Sequence, residues 1–202
     1  MAAVENFPQL PVILPETAIL KRLGGNRHLT AIPPAQMRQI RGWMSEAFAA
    51  CALCARAAVL TIRARGADWV ELENGVRWSS ARLAETLAPC ARAAVFAVTA
   101  GAAPGELAAR ALRENRGAAA LVYDATASET VDAAAGWLEQ FLRQRHGAAV
   151  CARHRFSPGY GGWALSAQAD IMETLALAEL GITRNDSFQL SPEKTVTAVL
   201  GV

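Results

Sequence analysis

Apolar and polar positions along the chain fall into stretches of distinct period. Residues 1–34 carry Pro8, Pro11, Pro15, Pro33 and Pro34 and predict an irregular N-terminal segment with one short helix. That helix lies between Pro15 and Gly24, with Ile19, Leu20 and Leu23 on one face and Gly24-Gly25 as its stop. From about Ala35 to Ala57, Met37, Ile40, Met44, Phe48 and Cys51 step by three or four residues, which predicts a long helix. Ala58 to Ile62 is β-branched and predicts a strand. Val70 to Trp78 alternates apolar and polar residues about Asn74-Gly75, the pattern of a tight type I′ hairpin. Ser79 or Ser80 can cap a short helix to about Leu87.

Beyond Pro89, Ala93 to Thr99 predicts a buried strand closed by Gly101. Helices follow at about Pro104 to Glu114 and Ala118 to Arg145, the second with a candidate break near Asp124 and a stop at Gly147. Ala148 to Arg155 predicts a strand, Ser166 to Leu180 an amphipathic helix stopped by Gly181, and Lys194 to Leu200 a final strand. There is one hairpin, there are isolated strands between helices, and there is no regular strand–helix alternation. This predicts an α+β domain over 35–202 with a mainly antiparallel or mixed sheet, preceded by the segment 1–34.

Composition narrows the function classes. At 202 residues a single domain, or one with an appendage, is expected. Charged residues are 19% and apolar residues 52%, which excludes a highly charged disordered chain. A net charge of +2 lacks the basic excess of a general nucleic-acid binder. The most apolar uncharged stretch, Ala93 to Gly105, is too short to span a membrane and contains Pro104. Met-Ala-Ala-Val-Glu-Asn at the start lacks the basic and apolar regions of a secretory signal, so a cytoplasmic location and reduced thiols are expected.

Phosphate-loop, dinucleotide-binding and nucleophile-elbow motifs are absent from the sequence. Cys51-Ala-Leu-Cys54 is a C-x-x-C pair, but the pattern puts it deep in a helix, away from the helix N-terminus that activates a thiol. The expectation is two small core residues on one helical face, with a redox or metal site as the lesser alternative. Cys90, Cys151, His28, His146 and His154 have no paired ligand spacing, so no metal site is expected.

Arg153-His-Arg-Phe-Ser-Pro-Gly-Tyr-Gly-Gly-Trp163 concentrates two arginines, aromatic residues and three glycines at a strand–loop junction. Gly159 permits positive φ, and the glycines allow close approach of a ligand to the backbone. Arg155 offers a planar fork for a carboxylate, and Tyr160 and Trp163 offer flat faces. The chemistry implied is capture of a zwitterionic or aromatic small molecule. A tight turn with an aromatic plug would use the same residues.

Arg155-x-x-Pro-Gly-Tyr160 followed by Gly161-Gly-Trp163 is similar to the R-x-x-P-G-Y signature of the activation (reactivation) domain of cobalamin-dependent methionine synthase. The stretches Leu180-Gly-Ile-Thr183, Phe188-x-Leu-Ser-Pro192 and Lys194-Thr-Val-Thr-Ala-Val-Leu-Gly201 agree with that family. Phe96-Ala-Val-Thr-Ala-Gly101 and Asp124-Ala-x-Ala-Ser-x-x-Val-Asp132 resemble its short, free-standing branch. The motifs cover residues 90–202, and residues 15–90 agree by layout alone.

The resemblance implies a C-shaped α+β domain with a bent, mainly antiparallel sheet that binds S-adenosylmethionine in a shallow groove. It implies reductive methylation of cobalamin, with the protein acting as a component of methionine synthase (a methyltransferase of methionine biosynthesis) or of another corrinoid enzyme. The cobalamin would be carried by that partner, because no D-x-H-x-x-G module is present. An electron-transfer flavoprotein is a further implied partner. By the same resemblance Arg155 pairs with the ligand carboxylate. The backbone around Ser157 and Gly159 meets the adenine, and Tyr160 lies near the reacting methyl and the corrin. Glu139, with Asp132 as second choice, meets the ammonium.

Two features of the fused enzymes have no counterpart: an aspartate-containing D-W-x-P-F-F-like segment and an aromatic contact beyond the position of Val202. Asp68-Trp69 sits in another context. These departures favour an alternative, a non-catalytic docking or regulatory subunit of a corrinoid methyltransferase that has lost cofactor binding. An Arg155 locked in an internal salt bridge, on an inward-folded bend with no groove beside it, would count against the ligand-binding expectation.

Overall fold

The computed structural model describes residues 3–25, 32–146 and 154–202. Five strands form a bent antiparallel path. β2 (Cys54–Arg65) lies at its centre, between β3 (Trp69–Leu72), which leads out to β4 (Arg77–Ser79), and β5 (Arg92–Thr99), which leads out to β8 (Thr195–Gly201). β1 (Glu5–Phe7) also pairs with β2, through Glu5↔Ala57 and Phe7↔Ala55, while β3 pairs further along it at Ile62 to Arg65. The register slips between Ile62 and Ala64, and a bulge of this kind bends a strand and increases its twist. A separate hairpin joins β6 (Thr183–Arg184) to β7 (Leu190–Ser191). The fold is therefore α+β with a curled antiparallel sheet, as expected; the strand at residues 5–7 was not expected from the Pro-punctuated N-terminus.

Alternation separates the two faces of the central strands. Ala58, Leu60, Ala93, Val95, Ala97 and Val199 point to one side, into a core with Leu83, Leu87, Ile171 and Trp163. These partners come from α3 (Ala81–Leu87), α6 (Gln168–Thr174) and the loop before α6. Ala55, Ala57, Ala94, Phe96, Val98, Ala198 and Leu200 point to the other side, against Val131, Ala134, Ala135, Leu138 and Leu142. Those residues belong to α5 (Gly117–His146), a 30-residue helix. The alanines on its buried side let it lie close to the sheet. The first half of α5 packs against α1 (Glu16–Arg22), α2 (Pro34–Ala50) and α4 (Ala103–Arg113).

Several expected boundaries move for identifiable reasons. α2 stops at Ala50 instead of Ala57, and Cys51 is extended at φ −72°, ψ 125°. From Cys54 the chain pairs with β5 in unbroken register, Cys54↔Thr99 to Thr61↔Arg92, so sheet pairing overrides the helix propensity of the alanines. α5 runs through Asp124 without a break. The Asp124 carboxylate accepts from Lys194 at 2.6 Å and so does not compete for the helix backbone.

The helix expected over 166–180 is interrupted: α6 ends at Thr174, Ala176 is left-handed at φ 49°, and a 3-10 turn covers Leu177–Leu180. The buried Arg56 guanidinium donates to the carbonyls of Leu175 and Ala176 at 3.1 and 2.6 Å, holding open what a continuous helix would close. The hairpin turn at 72–76 is a three-residue loop, not type I′. Gly75 alone in the turn has positive φ, its N–H reaches Leu72 O, and Leu72 N–H reaches Val76 O, the pattern of a type I turn with a G1 bulge. The Ser80 cap is present and accepts from Leu83 N–H at 3.1 Å. The strand expected over 148–155 falls almost wholly outside the described residues.

Candidate functional site

On α5 the residues Asp132, Gly136, Glu139 and Arg143 step by four, three and four, which stacks them in one stripe along the helix. The stripe flanks the apolar face that packs on the sheet. Glu139 Oε1 accepts from Arg143 Nη2 at 2.9 Å and Nε at 3.2 Å, a Glu-to-Arg i,i+4 pair in its favourable order.

Arg155 reaches this stripe because of its neighbour. Phe156 forms an isolated antiparallel bridge with Val199, N–H to O at 2.8 Å in both directions. The Phe156 ring packs into the core on the α3–α6 side. Period-two alternation then sends the Arg155 side chain to the opposite face, where α5 lies. Its guanidinium forms an ion pair with Asp132 through Nη2, and Nη1 lies 3.4 Å from Glu139 Oε2. A Cβ at Gly136 would lie 4.0 Å from Nη1, an ordinary van der Waals distance, so the guanidinium passes this helix position without requiring glycine there.

After Arg155 the chain turns sharply. Gly159 N–H donates to Trp163 O at 2.8 Å and Trp163 N–H to Tyr160 O at 2.9 Å, with Gly159, Gly161 and Gly162 all at positive φ. At Gly161 a Cβ would lie 2.7 Å from Phe156 Cζ, so that position requires glycine on two counts. The turn points Tyr160 outward, 71% exposed, and Trp163 inward. Trp163 stacks on Phe156 at 6.0 Å and meets Trp78 edge-on at 4.9 Å. The expectation that Trp163 offers a face to a ligand is corrected, because its ring is the aromatic plug of the turn. Ser157 is half-buried and accepts from Tyr160 N–H at 3.4 Å, while Gly159 is exposed.

The structure thus brings Arg155, Asp132 and Glu139 together, and places Ser157, Gly159 and Tyr160 on the following turn. Arg155 is held by internal ion pairs, which counts against the ligand-binding expectation, while Tyr160 on the bend faces outward. A groove of about 830 Å³ runs between Pro11–Thr17 and the α5 residues Ala133, Gly136, Trp137 and Gln140. Of its lining only Gly136 adjoins Arg155, and Asp132, Glu139, Ser157, Gly159 and Tyr160 do not line it. Sequence reasoning missed the N-terminal wall and Gly136. The available signals were the apolar run Val12-Ile-Leu14 between prolines, whose Ile13 stays exposed, and the one glycine in the Ala-rich half of α5 after Gly117.

The cysteine pair straddles the end of α2 and the start of β2, which corrects its expected place inside a helix. Burial pushes the Cys51 thiol up to about 11 and its Sγ–H donates to Ala47 O. Burial also raises Cys54, against the lowering effect of the Arg56 charge. Neither has the low pKa of a redox thiol. Among the described residues no group of three His, Cys, Asp or Glu could hold a metal ion, and no helix is long and apolar enough to cross a membrane. His154 is exposed; His28, Cys151 and Arg153 lie outside the described residues.

No protein-family model matches the sequence. No curated protein is significantly similar to it in sequence. Among solved structures it is similar to the crystal structure of the MetH reactivation domain bound to AdoHcy, at a TM-score of 0.70 and 15% identity. The match covers 99% of this chain and 78% of that one. The curled antiparallel sheet with its flanking helices is therefore the fold of the methionine synthase reactivation domain.

Proposed function

We propose that this protein binds S-adenosylmethionine through Arg155 and the α5 carboxylates. In that role it serves as a reactivation protein for cobalamin on a partner methionine synthase or another corrinoid methyltransferase. The observation that carries the proposal is the cluster itself. Arg155, Asp132 and Glu139 place one guanidinium between two carboxylates, the donor set that a ligand with both an α-carboxylate and an α-ammonium requires. The likeness in fold to a domain whose structure holds AdoHcy supports the same ligand class.

In this reading Arg155 takes the carboxylate. Asp132, exposed and freed by that exchange, takes the ammonium, and the more buried Glu139 keeps the guanidinium aligned. Backbone groups around Ser157 and Gly159 face the adenine, and Tyr160 projects toward the partner. S-adenosylmethionine, when bound, supplies a methyl group already activated on a sulfonium, so no side chain need donate or remove a proton. The work of the protein is positioning, which is a large part of catalysis between two bound reactants.

Calorimetric titration of the full chain with S-adenosylmethionine tests the proposal. Saturable binding lost in Arg155→Ala supports it, and absence of binding at millimolar ligand overturns it. One observation favours a second reading: Arg155 is already satisfied by internal carboxylates, as in a docking or regulatory subunit that has lost its ligand. Capture of a corrinoid protein by a chain that binds no ligand would support that reading.

A further inference from the structure

We propose that Arg143 is a positioning residue for the site: acting through Glu139, it fixes Arg155 in the orientation that receives a ligand carboxylate. The inference rests on the ligand-binding reading above and adds a residue that touches no ligand.

The two carboxylates that hold Arg155 differ in kind. Glu139 is 16% exposed and has its oxygens divided, Oε1 to Arg143 and Oε2 to Arg155. Asp132 is 61% exposed and meets the other end of the guanidinium. A pair shielded from water is electrostatically stronger and less screened than an exposed one. Asp132 makes the closer contact, but its exposure makes it the partner that a ligand carboxylate displaces, while the shielded Glu139 remains as the hinge of the guanidinium.

Glu139 can hold that role only if its carboxylate cannot rotate toward other partners. Arg143 prevents rotation by occupying Oε1 with two N–H groups, at 2.9 and 3.2 Å. It also balances charge. Two arginines and two carboxylates form a neutral cluster, and the amino-acid end of the ligand, one carboxylate and one ammonium, enters without changing that balance. Removal of Arg143 leaves two carboxylates around one guanidinium, so both compete more strongly with the ligand carboxylate for Arg155. Arg143 stands in the last turns of α5, where a cation is also favoured by the helix dipole, so the position tolerates lysine better than a neutral residue.

The test compares Arg143→Met and Arg143→Lys with wild type, using S-adenosylhomocysteine and 5′-methylthioadenosine as probes. The second probe keeps the nucleoside and thioether but lacks both charged groups of the amino-acid end. Arg143→Met is expected to weaken S-adenosylhomocysteine on the order of fivefold or more, with 5′-methylthioadenosine unchanged and part of the loss recovered in Arg143→Lys. Equal weakening of both probes, or no weakening, overturns the inference.

A ligand-free readout keeps it separable from the functional reading. The Arg155 side-chain ¹⁵N signals, assigned with Arg155→Lys, should show greater motion in Arg143→Met than in wild type. Unchanged order overturns the inference even where the ligand binds. If wild type binds neither probe, the ligand-binding reading falls, and a change in Arg155 motion alone would then support only the mechanical link from Arg143 to Arg155. Thermal unfolding of Arg143→Lys provides the check against a general folding defect.

Discussion

Trp163 donates its backbone N–H to the carbonyl of Tyr160 at 2.9 Å, and across that single turn the two rings go opposite ways, one into the core and one into solvent. The glycines between them make the reversal possible. The same turn therefore has a structural side and a functional side, and substitutions should separate them.

Trp163→Ala removes a buried ring packed on Phe156 and Trp78, and should cost about 3–5 kcal/mol in urea unfolding. Tyr160→Ala should stay within about 0.5 kcal/mol of wild type in the same measurement, because its ring contributes little to the core. A large loss of stability in Tyr160→Ala would mean that the turn is closed in solution.

Gly161→Ala places a methyl group 2.7 Å from Phe156 Cζ at φ 52°. It should destabilise the protein by about 1–3 kcal/mol, from strain and the displaced ring together. Gly162→Ala meets no atom within 4 Å and has only its φ of 76° to contend with, so it should cost less. Chemical denaturation of the two variants side by side checks the order.

Arg56 and Glu179 form an ion pair at 2.7 Å whose members are 9% and 69% exposed. Arg56 also donates to Asn6 Oδ1 and to the carbonyls of Leu175 and Ala176. Arg56→Ala should therefore cost about 3 kcal/mol or more, by leaving several acceptors unpaired. Glu179→Ala should cost no more than about 1 kcal/mol. Equal effects in unfolding experiments would contradict the role of Arg56 in interrupting the helix after α6.

The Cys51 thiol, pushed up to about 11 by burial, has only about one thiolate in a thousand at pH 8. Because the thiolate is the nucleophile, alkylation of Cys51 by iodoacetamide should be slow at pH 8 and accelerate about tenfold per pH unit up to roughly pH 10. Fast labelling at neutral pH, located by mass spectrometry, would revive a redox role for the pair.

Local signals in the sequence located elements wherever tertiary context agreed with them. Ser80 caps α3, Gly75 turns the β3–β4 hairpin, and the apolar runs at 93–99 and 195–200 are the strands β5 and β8. The end of α2 was not legible, because Cys51 to Ala57 is as good a helix as a strand until β5 is there to pair with it. Nor was the break after α6, which depends on Arg56 more than a hundred residues away. At the site, Arg155 was legible from its loop as a fork for a carboxylate, whereas Asp132 and Glu139 entered only through the family resemblance. The groove was not legible, since one wall comes from residues 11–17 and the other from a glycine on α5, and no local pattern connects them.

Equilibrium dialysis of the full chain against radiolabelled S-adenosylmethionine is the decisive measurement. Saturable binding of one ligand per chain is expected, suppressed by excess S-adenosylhomocysteine and abolished in Arg155→Ala. Absence of saturable binding up to millimolar ligand, or undiminished binding in Arg155→Ala, would contradict the proposed function.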